Sequence, residues 1–353
     1  MSYFSSRPKA PKGSARWIVL SLVVITLGSL TVLPTGYVIE RPGQVFNVMG
    51  EISGQKVISS EDVEVFETDS RFDVTTVSLL GNRESTPTWV QVLWAWADPE
   101  QIVLPLDDVF PPNLTTAEIR AESTAQMEVS QQDAIAAALS QLGYEIPRTL
   151  YVASVIADAP SSGILVAGDF VVSAGGTEVA SFDELKGQIQ LSEGNPMVIG
   201  VVRDGEPLSL EITPERRETD WVIGAMVGYT YDFPVEIQLQ LGDVGGPSGG
   251  LMFSLGILDA LSEGSMADSY HVSGTGTINS AGEVGPIGGV GLKMIAAQNS
   301  GADLFLVPKG NCEEAIGQIP EGLSVVTVRD LKEALDAVEA LREGNQLPTI
   351  SCN

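Results

Sequence analysis

The chain has 353 residues, 44% hydrophobic and 18% charged, which leaves room for two or three compact domains and argues against disorder. A net charge of −27 argues against nucleic acid as a partner, because a phosphate backbone must be met by clustered Lys and Arg. His271 is the only histidine and Cys312 and Cys352 form no CxxC pattern, so no metal site and no cofactor are expected.

The first 16 residues carry Arg7, Lys9, Lys12 and Arg16 and read as a cytoplasmic basic tail. Trp17 to Leu33 is an apolar run broken only by Ser, Thr and Gly, and residues 17–36 are expected to be a transmembrane anchor. The basic flank would stay inside, placing the C-terminal bulk outside the cytoplasmic membrane. A cleaved signal peptide is the rival reading; the apolar stretch is rather long for one. Residues 37–124 are expected to form a β-rich extracytoplasmic segment. Its strands would lie over Val63–Phe66, Val74–Leu80 and Trp89–Trp96, with Gly81-Asn82 as a turn. The Trp89, Trp94, Trp96 cluster reads as core packing, with a partner surface as the alternative. Asn113-Leu114-Thr115 matches a glycosylation sequon. A helix is predicted over Ser130–Leu142, with its apolar stripe on Ile135, Leu139 and Leu142 and a stop at Gly143. An oxidising compartment would permit a Cys312–Cys352 disulfide; two free thiols are the other reading.

From Tyr151 the pattern changes. A strand over Tyr151–Ile156 leads through Ala159-Pro160 and Gly163-Ile164 to Ala167-Gly168-Asp169 and a strand at Phe170. A turn at Gly175-Gly176, a helix over Phe182–Gln190, and a hairpin of Met197–Arg203 and Leu208–Ile212 around Asp204-Gly205 follow. These residues in this order resemble a bacterial PDZ domain, bounded at about 125–215. The resemblance implies binding of an extended peptide added as a strand beside a helix. A module that only packs is the alternative. The loop that would hold a peptide carboxylate matches poorly and is sought over Tyr144–Leu150.

The last third carries the chemistry. A strand predicted over Val235–Leu241 runs into Gly245-Gly246-Pro247-Ser248-Gly249-Gly250, after which Leu251, Leu255 and Leu258 fall on one helical face. A serine in a glycine-rich turn at a helix start lets a substrate backbone approach closely and places amide N–H groups where an oxyanion would develop. Taken alone, Ser248 reads as an ordinary helix N-cap. A nucleophile-elbow reading of Gly246, Ser248 and Gly250 needs a histidine base and an acid, and His271 follows too closely. Lysine is the other base available to a serine, provided burial and a helix N-terminus keep its amine neutral. Lys293 follows Gly285-Pro286-Ile287-Gly288-Gly289 and opens an apolar run; Lys309 and Lys332 are the other lysines after Ser248. Taken alone, Lys293 reads as a surface lysine.

Four blocks together change that reading: Gly246-Pro247-Ser248-Gly249-Gly250, Ser273-Gly274-Thr275-Gly276-Thr277, Gly285 to Gly289, and Lys293 with Ala296-Ala297. Their order and spacing resemble the proteolytic domain of the Lon peptidases, covering about 216–353. The resemblance implies Ser248 as nucleophile, Lys293 as base, Thr275 as the group that orients the lysine, and an oxyanion site at the backbone of Gly246, Pro247 and Gly249. It also implies a hexameric homo-oligomer and polypeptide substrates. Many members carry acids at the positions of Gly245 and Thr277; Asp243 and Glu283 are possible substitutes. The chain has no G-x-x-x-x-G-K-[ST] phosphate loop, so an ATP-independent serine endopeptidase is expected. The expected fold class is α+β and multidomain: transmembrane helix, β-rich segment, PDZ-like domain and Lon-type α+β proteolytic domain. The whole resembles the membrane-anchored PDZ–Lon proteases of Gram-positive bacteria, of actinobacterial type. A peptide-binding receptor or scaffold with a degenerate Lon domain is the rival.

Overall fold

The computed structural model describes residues 14–52, 54–112, 114–240, 245–348, 350 and 352. Asp243 and the sequon's Asn113 lie outside them. The chain forms two compact units: one built from residues 1–138 with 237–353, the other from 139–236. The 37–124 stretch is therefore not a segment of its own. Its strands Tyr37–Asn47, Arg71–Leu80 and Ile102–Pro105 share one sheet with His271–Gly274, Leu304–Pro308 and Ser324–Val328 from the C-terminal third.

That sheet is mixed. Ser324–Val328, Leu304–Pro308, His271–Gly274 and Arg71–Leu80 run parallel in that order, and Tyr37–Asn47 and Ile102–Pro105 extend it antiparallel. The central parallel strand is apolar throughout, as a strand covered on both faces requires: Leu304 to Val307 are fully buried. The helix Gly250–Ala260 is buried on all sides, which fits its largely apolar sequence; its two polar side chains, Ser254 and Asp259, are hydrogen-bonded. A β-bulge interrupts Tyr37–Asn47, where Gly43 and Gln44 together oppose Thr76. A Cβ on Gly43 would stand 2.6 Å from the Thr76 carbonyl oxygen, so only glycine allows the approach. Cys312 and Cys352 are joined by a disulfide across 40 positions.

The second unit holds the sheet Glu206–Ile212, Met197–Arg203, Phe170–Ala174, Arg148–Val155, Ala225–Tyr231, with the helix Phe182–Leu191. The expected hairpin is present, turned by Asp204 and Gly205 at positive φ. Ser181 and Glu184 cap the helix reciprocally. Leu150, Val152, Val171, Ile199, Val201 and Ile212 form the core. Asp169 is fully buried and takes a two-pronged bond from Arg203, Nε to Oδ1 at 2.6 Å and a terminal nitrogen to Oδ2 at 2.7 Å.

Several expectations need correction. The expected anchor over 17–36 appears as a helix that stops at Val32, and no helix among the described residues is long and apolar enough to cross a membrane. Residues 34 and 35 belong to the folded unit: Pro34 bridges Thr88, and the Thr35 hydroxyl is buried and donates to the Pro87 carbonyl at 2.8 Å. The stretch Trp89–Trp96 is helical, not extended. Gln91 reaches back to the Thr88 N–H, and Val92 and Ala95, three apart, form the buried stripe. Trp94 and Trp96 are exposed, so the cluster is not core; Trp89 and Trp96 stand edge-on to Tyr37. Val63–Phe66 forms no strand, and among the described residues of Val235–Leu241 only Gln238–Leu239 pairs, with Ile58–Ser59. The helix predicted from Ser130 begins earlier, at Thr116, and ends at Gln141.

Candidate active site

A cavity of about 470 Å³ opens in the first unit. Ser248 and Lys293 both line it, with Glu40, Gln44 and Phe46 on one strand, Val74, Thr76 and Ser78 on its neighbour, and Met127. Alternation puts Val74, Thr76 and Ser78 on one face of their strand and Gln44 and Phe46 on one face of theirs; the bulge between Pro42 and Val45 breaks the alternation between Glu40 and these two, and Val77 also lines the cavity.

Ser248 sits half-buried in a single 3₁₀ turn, Pro247–Gly249, that feeds the buried helix. The turn is fixed from both sides. Ser130 Oγ donates to the Pro247 carbonyl at 2.9 Å, and Thr275 Oγ1 and Gly276 N–H both donate to the Ser248 carbonyl, at 3.0 and 2.8 Å. Gly250 must be glycine, since a Cβ there would lie 2.9 Å from both Ile278 and Ser130 side chains.

Lys293 lies in the first turn of the helix Val290–Asn299 and is only 4% exposed. Its Nζ donates to Thr275 Oγ1 at 3.2 Å. The single proton of that hydroxyl goes to the Ser248 carbonyl, so toward the amine Thr275 only accepts. A neutral amine thus gives up one N–H to threonine and keeps its lone pair. Burial pushes Lys293 down from 10.5 to about 8, against the carboxylates of Glu314 and Glu40, which pull the other way. At pH 7 that leaves about a tenth of the amine neutral, against roughly one part in three thousand for a lysine in water.

The remaining sequence candidates separate clearly. Pro247 has no N–H, and the Gly246 N–H is donated to the Ser123 carbonyl at 3.1 Å, so neither serves an oxyanion. Gly249 stays in the turn, and its amide and that of Ser248 are the donors left in this stretch. A Cβ on Gly245 would stand 2.4 Å from Ser123 Oγ, a physical reason for the missing acid there. Glu283 is no substitute: it is engaged by Asn279 in a turn. His271 is buried against Asp73, Nε2 to Oδ2 at 2.5 Å, on the Arg71–Leu80 side of its strand, and does not line the cavity. Lys332 is exposed and paired with Asp336 at 2.6 Å; Lys309 also lies outside the cavity wall. Glu40 was not foreseen. It lies 253 positions before Lys293 (293 − 40), and only the pairing of the N-terminal strand into this sheet brings the two together.

Comparison with known proteins bears on this stretch. Residues 234–341 match the Lon protease (S16) C-terminal proteolytic domain. Lon protease 2 of Bacillus subtilis (strain 168) is 33% identical over 108 residues, 30% of this chain and 19% of that protein. Lon protease of Helicobacter pylori (strain ATCC 700392 / 26695) is 29% identical over 146 residues, 39% of this chain and 17% of that protein. Lon protease of Roseiflexus castenholzii is 36% identical over 98 residues, 26% of this chain and 12% of that protein. The chain thus spans less than a fifth of the length of these curated relatives. The Lon-type match includes Ser248, Thr275 and Lys293. Among solved structures, the PDZ domain of an SdrC-like protein of Listeria innocua is 26% identical, with a TM-score of 0.21, covering 22% of this chain and 92% of that one. Its counterpart from Listeria monocytogenes is 23% identical at the same TM-score, covering 22% and 85%.

Proposed function

We propose that this chain is a serine endopeptidase in which Ser248 is the nucleophile and Lys293 the general base. The observation that carries the reading is a buried amine, pushed toward its neutral form by that burial, on the wall of the cavity that Ser248 also lines. Ser248 Oγ forms a bond to the peptide carbonyl carbon while its proton passes to Lys293 Nζ. The oxyanion is met by the amides of Ser248 and Gly249, and the collapsing intermediate expels an amine that takes the proton back. Water, deprotonated by the same lysine, then releases the acyl group. Thr275 orients the amine throughout.

The wider reading has separate supports. Cleavage without ATP, of exported or unfolded polypeptides, is part of the same proposal by likeness to the membrane-anchored PDZ–Lon proteases, with a hexamer as the assembled form by likeness to Lon proteases. A peptide-docking role for the second unit rests on a cavity of about 570 Å³ lined by Arg148, Leu150, Val171, Val179 and Glu184, at the end of the stretch proposed for carboxylate binding. Attachment at the outer face of the cytoplasmic membrane is supported by the exposed apolar side chains Trp17 to Leu20 and Leu22 to Ile25 and by the disulfide.

The test uses the full chain and a flexible fluorogenic peptide. Ser248→Ala and Lys293→Ala should each lower kcat/KM by at least about a thousandfold. Retained cleavage in either variant, with wild-type folding, overturns the scheme and leaves a tethered receptor as the better account.

A further inference from the structure

Glu40 and Lys293 come from elements at opposite ends of the sequence, the strand Tyr37–Asn47 and the helix Val290–Asn299, which pack on each other. Both side chains line the cavity that holds Ser248. Glu40 is thus a carboxylate on the substrate side of the base, a placement that a merely structural acid does not need. A carboxylate there favours the ammonium form, which has no lone pair to accept the serine proton. It works against catalysis at low pH while leaving the neutral amine of higher pH undisturbed.

The other charges around the lysine are accounted for. Glu314, on the short helix Cys312–Ile316, acts on Lys293 in the same sense and more strongly, but it does not line the cavity. Asp73 on the Arg71–Leu80 strand is tied to Arg71 and His271, and His271 lies against Asp73 and Ser273. The strand Leu304–Pro308 carries no charge. Glu40 itself is pushed up by burial and held down by Lys293, so each group depends on the other.

We propose that Glu40 is a positioning residue that holds Lys293 as an ammonium ion in acid and so sets the pH below which the Ser248–Lys293 pair is silent. The proposal rests on the peptidase reading above. Where Glu40 is ionised, Lys293 stays charged up to a higher pH; where Glu40 is protonated or removed, the brake is off.

The experiment is the pH profile of peptide cleavage by the full-length chain, wild type against Glu40→Gln. The readout is the midpoint of the acid limb, which does not depend on the height of the plateau. Glu40→Gln should move the midpoint down by roughly half a pH unit, which is about threefold more of its own plateau rate well below the midpoint. Glu40→Asp, which keeps the charge, should restore most of the wild-type midpoint. The pH dependence of Ser248 labelling by a fluorophosphonate gives the same midpoint without a peptide, should the glutamine variant bind peptide poorly. Glu314→Gln should move the limb the same way by at least as much. A limb shifted by Glu314→Gln but unmoved by Glu40→Gln overturns the role of Glu40 alone. Cleavage that survives Ser248→Ala overturns the underlying peptidase reading instead.

Discussion

Lys293 in the first unit and Asp169 in the second are both buried ionisable groups, and the chain treats them in opposite ways. Asp169 is fully satisfied: Arg203 grips both oxygens and the Val166 N–H donates to Oδ2 at 3.0 Å. Those bonds hold its carboxyl below the usual range, so it stays charged and serves the fold. Lys293 is buried with a hydrogen bond to the Thr275 hydroxyl and, among the described residues, no carboxylate in contact, and so it is driven toward the neutral form. Full pairing marks the structural charge; incomplete pairing beside a cavity marks the reactive one.

The largest expected effect is the loss of cleavage in Ser248→Ala and Lys293→Ala already described. Next in size, Asp169→Ala should destabilise the second unit by about 3 kcal/mol, because Arg203 is left without its buried partner. Chemical denaturation checks it, and a loss under about 1 kcal/mol would mean that the pair adds little. The sign with pH is definite: a carboxyl lowered in the folded state contributes stability above its unfolded value, and that contribution fades as acid protonates it.

A smaller effect separates the two groups more sharply. Thr275→Val keeps the shape and removes the hydroxyl, so kcat should fall roughly ten- to a hundredfold with KM little changed. A change confined to KM would show that Thr275 does not hold the amine. Smallest, Lys293→Met should raise stability at pH 7 by about 1–3 kcal/mol while abolishing cleavage, since it removes the cost of burying the amine. The wild-type chain should itself gain stability between about pH 8 and the ordinary lysine value of 10.5, where the unfolded chain binds the extra proton. The methionine variant should show no such rise. If the two denaturation curves run parallel across that range, Lys293 is not the buried amine described.

How much of this was legible in the sequence follows from range. Ser248, Thr275 and Lys293 stand in short blocks of glycine and small residues, and the likeness of those blocks, in order and spacing, to the Lon peptidases is what brings them together; taken alone, Ser248 reads as a helix cap and Lys293 as a surface lysine. The hairpin at Asp204-Gly205 and the helix at Phe182 were legible for the same reason, through turn and capping chemistry. Glu40 was not, because nothing local distinguishes a glutamate on an edge of the pattern from a solvated one; only the strand pairing at Arg71–Leu80 carries it to the cavity. The Trp89–Trp96 stretch misled through composition: aromatic and β-branched residues suit a strand, but the Thr88–Gln91 cap decides for a helix. The amides of Gly246 and Pro247 were misassigned because a motif gives residue names, not the direction in which an N–H points.

The burial of Lys293 also bears on when such a chain could become active. On the chemistry proposed here, a nascent polypeptide has its amine in water, fully protonated and useless as a base. Hydrolytic power would arise only once the strand Tyr37–Asn47 and the helix that carries the lysine have packed together, so correct packing would itself be the activating step.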